Sequence, residues 1–215
     1  MQTPTATTLY YSPGAASLVV HWLLIELGEP HELQLVDTKS GEQKRPEYLA
    51  LNPNGVVPTL VLDGQPLFEA AALLQTLAER HPDAGLLPPV GDARRALHTQ
   101  WMFHLANVVQ PLFRIWWYPH EVAGEAQAEA ARAHVAPRIE AAWGRLDAHL
   151  AVHGPHLLGE QPSVADFYLV MLMRWSRNMP KPATEWPHLA ALAQRLKARE
   201  SFRTLYEREG LTEWA

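Results

Sequence analysis

The sequence has 215 residues, 47% of them hydrophobic and 19% charged, so it is long enough for one large or two modest domains and too apolar to be disordered. Its formal net charge of −5, without a long basic run, argues against a nucleic-acid or anionic-membrane surface as the main partner. Because the sequence contains no cysteine, it excludes disulfides, zinc–thiolate sites and a thiol nucleophile supplied by the protein.

The first part of the chain predicts a strand, a helix and a second strand. Residues Thr7–Tyr11 are β-branched and aromatic and end at Ser12-Pro13-Gly14, which predicts a short strand followed by a turn. Apolar residues between Leu18 and Leu27 cover nearly every side of a helix, which predicts a helix packed on both sides and ended by Gly28. Alternation in His31–Val36 predicts the second strand, with Leu33 and Leu35 on one face.

Two further strands and a helix follow an irregular stretch. The turn sequence Asn52-Pro53-Asn54-Gly55 precedes Val57–Leu62, which has the pattern of a strand entered through a proline. Asp63-Gly64 predicts a hairpin to a returning strand at Pro66–Phe68. Inward-facing leucines then predict a helix over Glu69–Arg80. The predicted order is βαβ, a loop, then ββα.

The second half of the chain predicts helices alone. A proline- and glycine-rich stretch at 81–91 predicts a linker between domains 1–82 and 92–215. We expect Pro111 and Pro137 to end or kink their helices. Ser163-Val164-Ala165-Asp166 resembles a helix-capping box before an apolar helix. Apolar residues at helical spacing indicate one apolar face on each of two helices. The first face consists of Leu97, Trp101, Leu105 and Val108, and the second of Ile139, Trp143, Leu146 and Leu150.

Four sequence motifs occur in a characteristic order, and they are Tyr11–Leu18, Asn52–Pro58, Phe68–Ala70 and Gly159–Asp166. Together they resemble the glutathione S-transferases, and most of all the bacterial beta class, from Leu9 to about Leu211. The resemblance implies an α/β thioredoxin-like domain that binds glutathione, followed by an all-α domain that contributes the electrophile pocket. It also implies a cytoplasmic, homodimeric detoxification enzyme with glutathione as co-substrate and no tightly bound cofactor.

The resemblance also implies the residues that hold glutathione. The main chain of Val57, held by a cis Pro58, is expected to pair with the cysteinyl part, although the residues alone favour a trans proline at a strand start. The helix amides at Ala70 attract the γ-glutamyl carboxylate, and Glu69 accepts a hydrogen bond from its ammonium. A glutamate favoured by the helix dipole is the alternative for Glu69. Lys39 matches a lysine that contacts the glycyl carboxylate, with a solvated lysine as the alternative.

The family's reaction is attack by the glutathione thiolate on an electrophile, and the residue that stabilises the thiolate is uncertain in this sequence. The beta class has a cysteine, and several other classes a serine, at the position of Ala16. Ala16 forms neither a side-chain hydrogen bond nor a mixed disulfide. Ser17 is the first candidate for a replacement donor, with helix capping as its alternative role. Tyr11 is the second candidate, and Tyr10 or Ser12 are further ones.

Residues of the predicted second domain complete the implied site. A histidine and a lysine of the beta class correspond here to Gln110 and Pro111, so both cations are absent. Gln110, and Asn107 one turn before it, retain hydrogen-bonding groups. Trp116, Trp117 and Tyr118 either wall a pocket for an apolar electrophile or belong to the core or a dimer contact.

Metal binding, export and membrane insertion are not expected. His149, His153 and His156 lack acidic or cysteine companions at a recognisable spacing, so we expect no metal site. The sequence shows no secretory signal and no apolar stretch long enough to span a bilayer.

Three functions remain open. The first is a transferase that conjugates glutathione to small hydrophobic electrophiles. The second is a non-catalytic binder of glutathione or hydrophobic ligands, which Ala16 motivates, and the third is a protein-interaction module on the same scaffold.

Overall fold

The computed structural model describes residues 7–214, and it confirms an α/β first part followed by helices. The strands are β1 (Thr7–Tyr11), β2 (His31–Leu35), β3 (Thr59–Leu62) and β4 (Gln65–Phe68). The helices are α1 (Ser17–Glu26), α2 (Pro46–Leu49), α3 (Ala70–Arg80), α4 (Arg94–His104), α5 (Gln110–Trp117), α6 (His120–Ala123), α7 (Ala128–His153), α8 (Val164–Trp175), α9 (Pro187–Lys197) and α10 (Glu200–Glu209). Within the described residues, no helix is both long and apolar enough to cross a membrane.

The four strands form one mixed sheet in the order β2-β1-β3-β4. β1 pairs parallel with β2 and antiparallel with β3, and β3 pairs antiparallel with β4. A parallel pair needs a crossover connection, which α1 provides, whereas β3 and β4 are joined by the predicted hairpin at Asp63-Gly64. This βαβ–ββα arrangement is the thioredoxin-like fold.

Helix α1 is buried along its whole first two turns, as its apolar sequence predicts. Every residue from Ser17 to Leu24 is buried, so the helix has no face left for solvent. It packs against the sheet, α3 and α10. On α10, the Ser201 hydroxyl accepts a hydrogen bond from the Trp22 indole at 2.9 Å, and the Phe202 ring lies 5.1 Å from the Trp22 ring.

The chain divides into two compact units whose boundaries differ from the sequence-based division at the C-terminal end. One unit contains the residues up to Ala84 together with Lys197–Glu213, and the other contains Gly85–Leu196 with Trp214. The sequence assigned α10 to the all-helical domain. The structure places α10 with the sheet because α1 is apolar all round and needs a second layer to cover it.

The two prolines expected to end or kink helices have different surroundings. A π-helical segment, Leu105–Val109, joins α4 to α5 and ends two residues before Pro111. Pro111 lies in the first turn of α5, where its missing N–H costs little. Pro137 lies inside α7 and does not end it. Val135 and Ile139 on either side are fully buried, and this burial offsets the roughly 3 kcal/mol that an internal proline costs.

The predicted capping box at Ser163–Asp166 is present at the start of α8. The Asp166 carboxylate, which is completely buried, accepts hydrogen bonds from the Ser163 N–H and hydroxyl at 2.8 Å each. Its other oxygen accepts the Leu157 N–H at 2.7 Å. Asp166 therefore joins the loop before α8 to the helix itself.

Replacing Asp166 with alanine should destabilise the protein strongly, because three donors lose their acceptor in a buried place. Each such donor costs about 1–3 kcal/mol, so we expect chemical denaturation to show a loss of at least about 3 kcal/mol in unfolding free energy for Asp166→Ala. Asp83→Ala is the control, since Asp83 is exposed and should change stability by less than about 0.5 kcal/mol. Equal effects of the two changes would contradict the structural role of the box.

Candidate functional site

Three neighbouring strands present their ends at one edge of the sheet. Tyr10 of β1 pairs with Thr59 of β3, and Thr59 pairs with Phe68 of β4. Because β3 runs antiparallel to both neighbours, the next residues beyond this row are Tyr11, Pro58 and Glu69. The register therefore brings together residues from three of the four sequence motifs.

The peptide bond between Val57 and Pro58 is cis, as the resemblance implied. Strand pairing of β3 begins at Thr59, so the polar main-chain groups of Val57 lie outside the ladder. Such groups are available to pair with an extended ligand, as an added strand would.

The residue before Val57 is held firmly by side chains. The Val56 carbonyl accepts hydrogen bonds from the Tyr48 hydroxyl and the Asn52 amide, at 2.8 Å each. The Tyr48 hydroxyl also lies 2.8 Å from the Thr59 hydroxyl. Both Tyr48 and Asn52 are buried, so the bend that presents Val57 is fixed from inside the protein.

Glu69 has a backbone conformation that L-amino acids rarely adopt. Its φ of 72° and ψ of 106° lie in a region that favours glycine, which costs on the order of 1–3 kcal/mol. The side chain is exposed and does not cap α3, whose first residue is Ala70. The first N–H groups of a helix have no partner within the helix, so the start of α3 has open amides beside the Glu69 carboxylate.

The turn between β1 and α1 is closed by Ser17. The Ser17 hydroxyl accepts the Ser12 N–H and donates to the Ser12 carbonyl, both at 3.1 Å. Ser17 is fully buried, and its one hydroxyl proton is used in this pair of bonds. Ala16 occupies the N-cap position of α1 without a side-chain cap, and the Leu18 N–H in the first turn donates to the Ala15 carbonyl at 3.0 Å.

Tyr11 ends β1 and has a hydroxyl free to donate. Its carbonyl accepts the Val36 N–H at 2.8 Å, and among residues 7–214 no group bonds its hydroxyl. Burial, and then the negative charge of Glu209, raise the pKa of the Tyr11 phenol above its ordinary value. The phenol is therefore protonated throughout the neutral range and can donate a hydrogen bond.

Glu209, which the sequence analysis did not identify, contacts the same turn from α10. One carboxylate oxygen accepts the Gly14 N–H at 2.9 Å, and the other lies 2.9 Å from Nδ1 of His21. The side chains of Glu209 and His21 are both 0% exposed. The only sequence signal was His21 itself, a polar residue within an otherwise apolar helix.

Two lysines lie in the region before the cis proline. The predicted residue, Lys39, is exposed and contributes its main-chain N–H to Asp37 at 3.0 Å. Lys44, which was not predicted, donates from its ammonium to the Asn54 carbonyl at 3.2 Å. Lys44 is thus the lysine that contacts the Asn52–Gly55 turn.

The remaining predicted site residues lie in the second unit. Asn107 is exposed on the π-helical segment. The side-chain carbonyl of Gln110 accepts a hydrogen bond from the Tyr168 hydroxyl, and its NH₂ group is a donor that this bond does not use.

The predicted aromatic wall is stacked with arginines. The guanidinium groups of Arg132, Arg177 and Arg114 lie 5.8, 5.8 and 4.3 Å from the ring centres of Trp116, Trp117 and Tyr118, respectively. Each ring is partly exposed.

The histidines considered as metal ligands bond to main-chain carbonyls. His149 contacts the Leu157 carbonyl at 2.9 Å, and His156 contacts the Glu160 carbonyl at 3.0 Å. Across residues 7–214, no group of three potential ligands is placed to hold a metal ion.

Known proteins show similarity along nearly the whole chain. Residues 15–80 match the N-terminal domain of glutathione S-transferases, and residues 129–197 match their C-terminal domain. The glutathione S-transferase GstA of Escherichia coli O157:H7 is 32% identical over 94% of this chain and 98% of its own length. The glutathione S-transferase GST-4.5 of Xanthomonas campestris is 30% identical over 94% and 98%.

Solved structures agree with this similarity. A sphingomonad glutathione S-transferase in complex with glutathione is 31% identical, covers 95% of this chain and all of its own, and superposes with a TM-score of 0.84. A glutathione transferase homologue from Sulfitobacter with bound glutathione is 30% identical over 96% and 99%, with a TM-score of 0.88.

The strain at Glu69 should be measurable as lost stability. Glu69→Gly and Glu69→Gln remove the same charge, but only glycine relaxes the backbone at positive φ. We expect chemical denaturation to give Glu69→Gly an unfolding free energy about 1 kcal/mol higher than that of Glu69→Gln. A glycine variant no more stable than the glutamine variant would contradict a strained backbone at this residue.

Proposed function

The chain belongs to the glutathione S-transferase family, and we propose that it transfers glutathione to small hydrophobic electrophiles, with Tyr11 as the hydrogen-bond donor to the thiolate. The observation that carries this proposal is the shared edge of the sheet, where Tyr11, the cis Val57–Pro58 bend and Glu69 follow one row of paired residues. The main-chain groups that can pair with a peptide therefore lie close to a phenol that can donate a hydrogen bond.

The glutathione site is proposed on the main-chain groups of this edge. The free polar groups of Val57 suit the cysteinyl part of the tripeptide, since they would extend the pairing of β3 by one residue. The open amides at Ala70 suit the γ-glutamyl carboxylate, and the Glu69 carboxylate suits its ammonium group. The strained backbone of Glu69 supports this proposal, because strain of this kind persists where a residue has a role that glycine cannot fill.

The thiolate requires about 2.7 kcal/mol of differential stabilisation if the thiol pKa is to fall by about 2 units. Tyr11 is the better donor for this purpose. The Ser17 hydroxyl bonds both to the Ser12 carbonyl and to the Ser12 N–H, so donating to sulfur would cost its hydrogen bond to the Ser12 carbonyl. The positive end of the α1 dipole is a second source of stabilisation for the thiolate.

The other predicted residues are assigned by the resemblance. We propose that Gln110, through its NH₂ group, and Asn107 take the place of the cations of the beta class. We further propose that Trp116, Trp117 and Tyr118 wall the electrophile pocket, and that Lys39 contacts the glycyl carboxylate. A cytoplasmic homodimer that detoxifies electrophiles belongs to the same proposal.

One experiment tests the activity and the binding separately. We expect the purified protein to conjugate glutathione to chlorodinitrobenzene, and S-methylglutathione, which lacks a reactive thiol, to raise the melting temperature without turnover. A ligand at about 100 times its Kd adds about 2.7 kcal/mol of stability. A thermal shift with glutathione but no conjugation would make the protein a binder, and the absence of both signals would overturn the glutathione site.

Two substitutions should separate the roles of Tyr11 and Ser17. Tyr11→Phe removes the proposed donor, so we expect kcat/KM to fall about 10- to 100-fold and the ultraviolet absorbance of bound thiolate to appear only at higher pH. Ser17→Ala leaves the Ser12 N–H without its acceptor, so we expect it to lower the unfolding free energy by about 1–3 kcal/mol and to raise KM for glutathione.

The pKa of the bound thiol distinguishes the two roles. Loss of the hydrogen-bond donor raises this pKa, whereas a structural change in the turn alone does not raise it to the same extent. If Ser17→Ala raised that pKa and Tyr11→Phe did not, serine would be the donor.

A further inference from the structure

The peptide group between Val56 and Val57 has its two polar groups on opposite sides. The bond between these residues is trans, and the carbonyl and N–H of a trans peptide point in opposite directions. The Val56 carbonyl accepts hydrogen bonds from the hydroxyl of Tyr48 and the amide of Asn52, both of which are buried. The Val57 N–H therefore points away from these buried groups, and among residues 7–214 no group accepts a hydrogen bond from it.

The hydroxyl groups behind the Val56 carbonyl form a chain that runs in one direction. The Tyr48 hydroxyl has a single proton, and it donates this proton to the Val56 carbonyl at 2.8 Å. The Thr59 hydroxyl lies 2.8 Å from the Tyr48 oxygen, so Thr59 is the donor in that contact. The chain of hydrogen bonds thus runs from Thr59 through Tyr48 to the Val56 carbonyl, and both hydroxyl-bearing residues are buried.

Hydrogen bonds that a carbonyl accepts make the N–H of the same peptide group a better donor. Each accepted bond draws electron density toward the oxygen and away from the nitrogen, and bonds in such a chain strengthen one another by about 10–30% each. Both lone pairs of the Val56 oxygen are used, one by Tyr48 and one by Asn52. Because these donors are buried, water does not weaken the effect. The Val57 N–H is thereby a stronger donor than an ordinary main-chain amide.

We propose that Tyr48 is a positioning residue for glutathione, which acts through the peptide group between Val56 and Val57 and strengthens the hydrogen bond from the Val57 N–H to the cysteinyl carbonyl of the ligand. This inference rests on the proposed function, in which Val57 pairs with the cysteinyl part of glutathione. It gives α2 a role in the affinity for glutathione, through a side chain that is buried behind the bend.

The test compares two variants, neither of which leaves a hydroxyl proton of this chain without an acceptor. Thr59→Val removes the Thr59 hydroxyl and leaves both hydrogen bonds to the Val56 carbonyl in place. The double variant Tyr48→Phe/Thr59→Val also removes the Tyr48 hydroxyl, so the carbonyl keeps only the bond from the Asn52 amide. The two variants therefore differ by a single hydroxyl group and by the bond that it donates to Val56.

The first readout needs no ligand. In nuclear magnetic resonance spectra, the carbonyl carbon of Val56 and the amide nitrogen of Val57 both respond to hydrogen bonds that the carbonyl accepts. We expect both resonances to move upfield in the double variant relative to Thr59→Val, because the peptide group is less polarised. If the double variant does not fold, Thr59→Val remains informative, since the chain predicts smaller shifts in the same direction from the wild type.

The second readout is the dissociation constant of S-methylglutathione, measured by calorimetry. We expect Thr59→Val to bind within about twofold of the wild type, and the double variant to bind about five- to tenfold more weakly. KM for glutathione should rise by the same factor while kcat stays unchanged, as for an interaction that is equally strong in the ground and transition states. Ser163→Ala is the control, since it removes a buried hydroxyl from the other unit and should lower the melting temperature without changing the dissociation constant.

An analogue of the ligand shows whether the effect passes through the Val57 N–H. In this analogue of S-methylglutathione, a carbon–carbon double bond replaces the peptide bond between cysteine and glycine, so the ligand has no cysteinyl carbonyl. We expect Thr59→Val and the double variant to bind the analogue equally, because the Val57 N–H has no acceptor on it. S-Methylglutathione itself should distinguish the two variants.

Three results would overturn the inference. They are unchanged resonances of Val56 and Val57 in the double variant, equal dissociation constants of S-methylglutathione for the two variants, and a loss of affinity for the analogue as large as that for S-methylglutathione. If the wild type itself does not bind S-methylglutathione, the proposed function fails, and the two resonances still decide whether Tyr48 polarises the peptide group.

Discussion

A helix that is apolar on every side must be covered on every side, and this requirement on α1 determines how the first unit is built. The sheet and α3 cover part of α1, and α10 covers the rest. The contact is reinforced at its far end, where Arg199 bonds both oxygens of Glu26 and Ser201 donates to one of them. Although burial disfavours the charge of Glu26, these hydrogen bonds hold its pKa below the ordinary value. The last long helix of the chain thereby becomes part of the domain that the first residues begin.

The same packing fixes the turn at the start of α1. With α1 immobile, the Ser17 hydroxyl holds Ser12 from one side and Glu209 holds Gly14 from the other. The end of β1 is tied to the end of β2 through the Val36 N–H. Tyr11 thus has little freedom of backbone movement, and a donor whose position is fixed in advance needs no reorganisation when charge develops nearby.

The features that sequence predicts best are those coded by neighbouring residues. The strands, the hairpin at Asp63-Gly64 and the capping box at Ser163–Asp166 depend on local spacing and turn chemistry, and all are present. The cis bond at Pro58 required the resemblance, because proline alone leaves trans favoured. Local pattern does not give burial where tertiary position decides it: Leu35 was placed on one face with Leu33, and it is 52% exposed on the edge strand β2.

The contacts of the candidate site lie beyond local pattern for the same reason. The Ser17 hydroxyl bonds to Ser12 because of the shape of the turn between them, and the sequence of this short segment does not determine that shape. Glu209 is distant in sequence from Gly14 and His21, and a glutamate near the end of a helix has no spacing that marks it as buried. The strain at Glu69 follows from the junction of β4 with α3, and glutamate is not a residue type that predicts a positive φ.

An alanine at position 16 changes which interactions stabilise the sulfur. With no side-chain donor at the N-cap of α1, the proposed mechanism depends on a phenol that stays protonated while a thiol beside it loses its proton. The ordinary order of the two pKa values favours this, since a free thiol has a pKa of about 8.5 and a phenol of about 10, and burial raises the pKa of Tyr11 further.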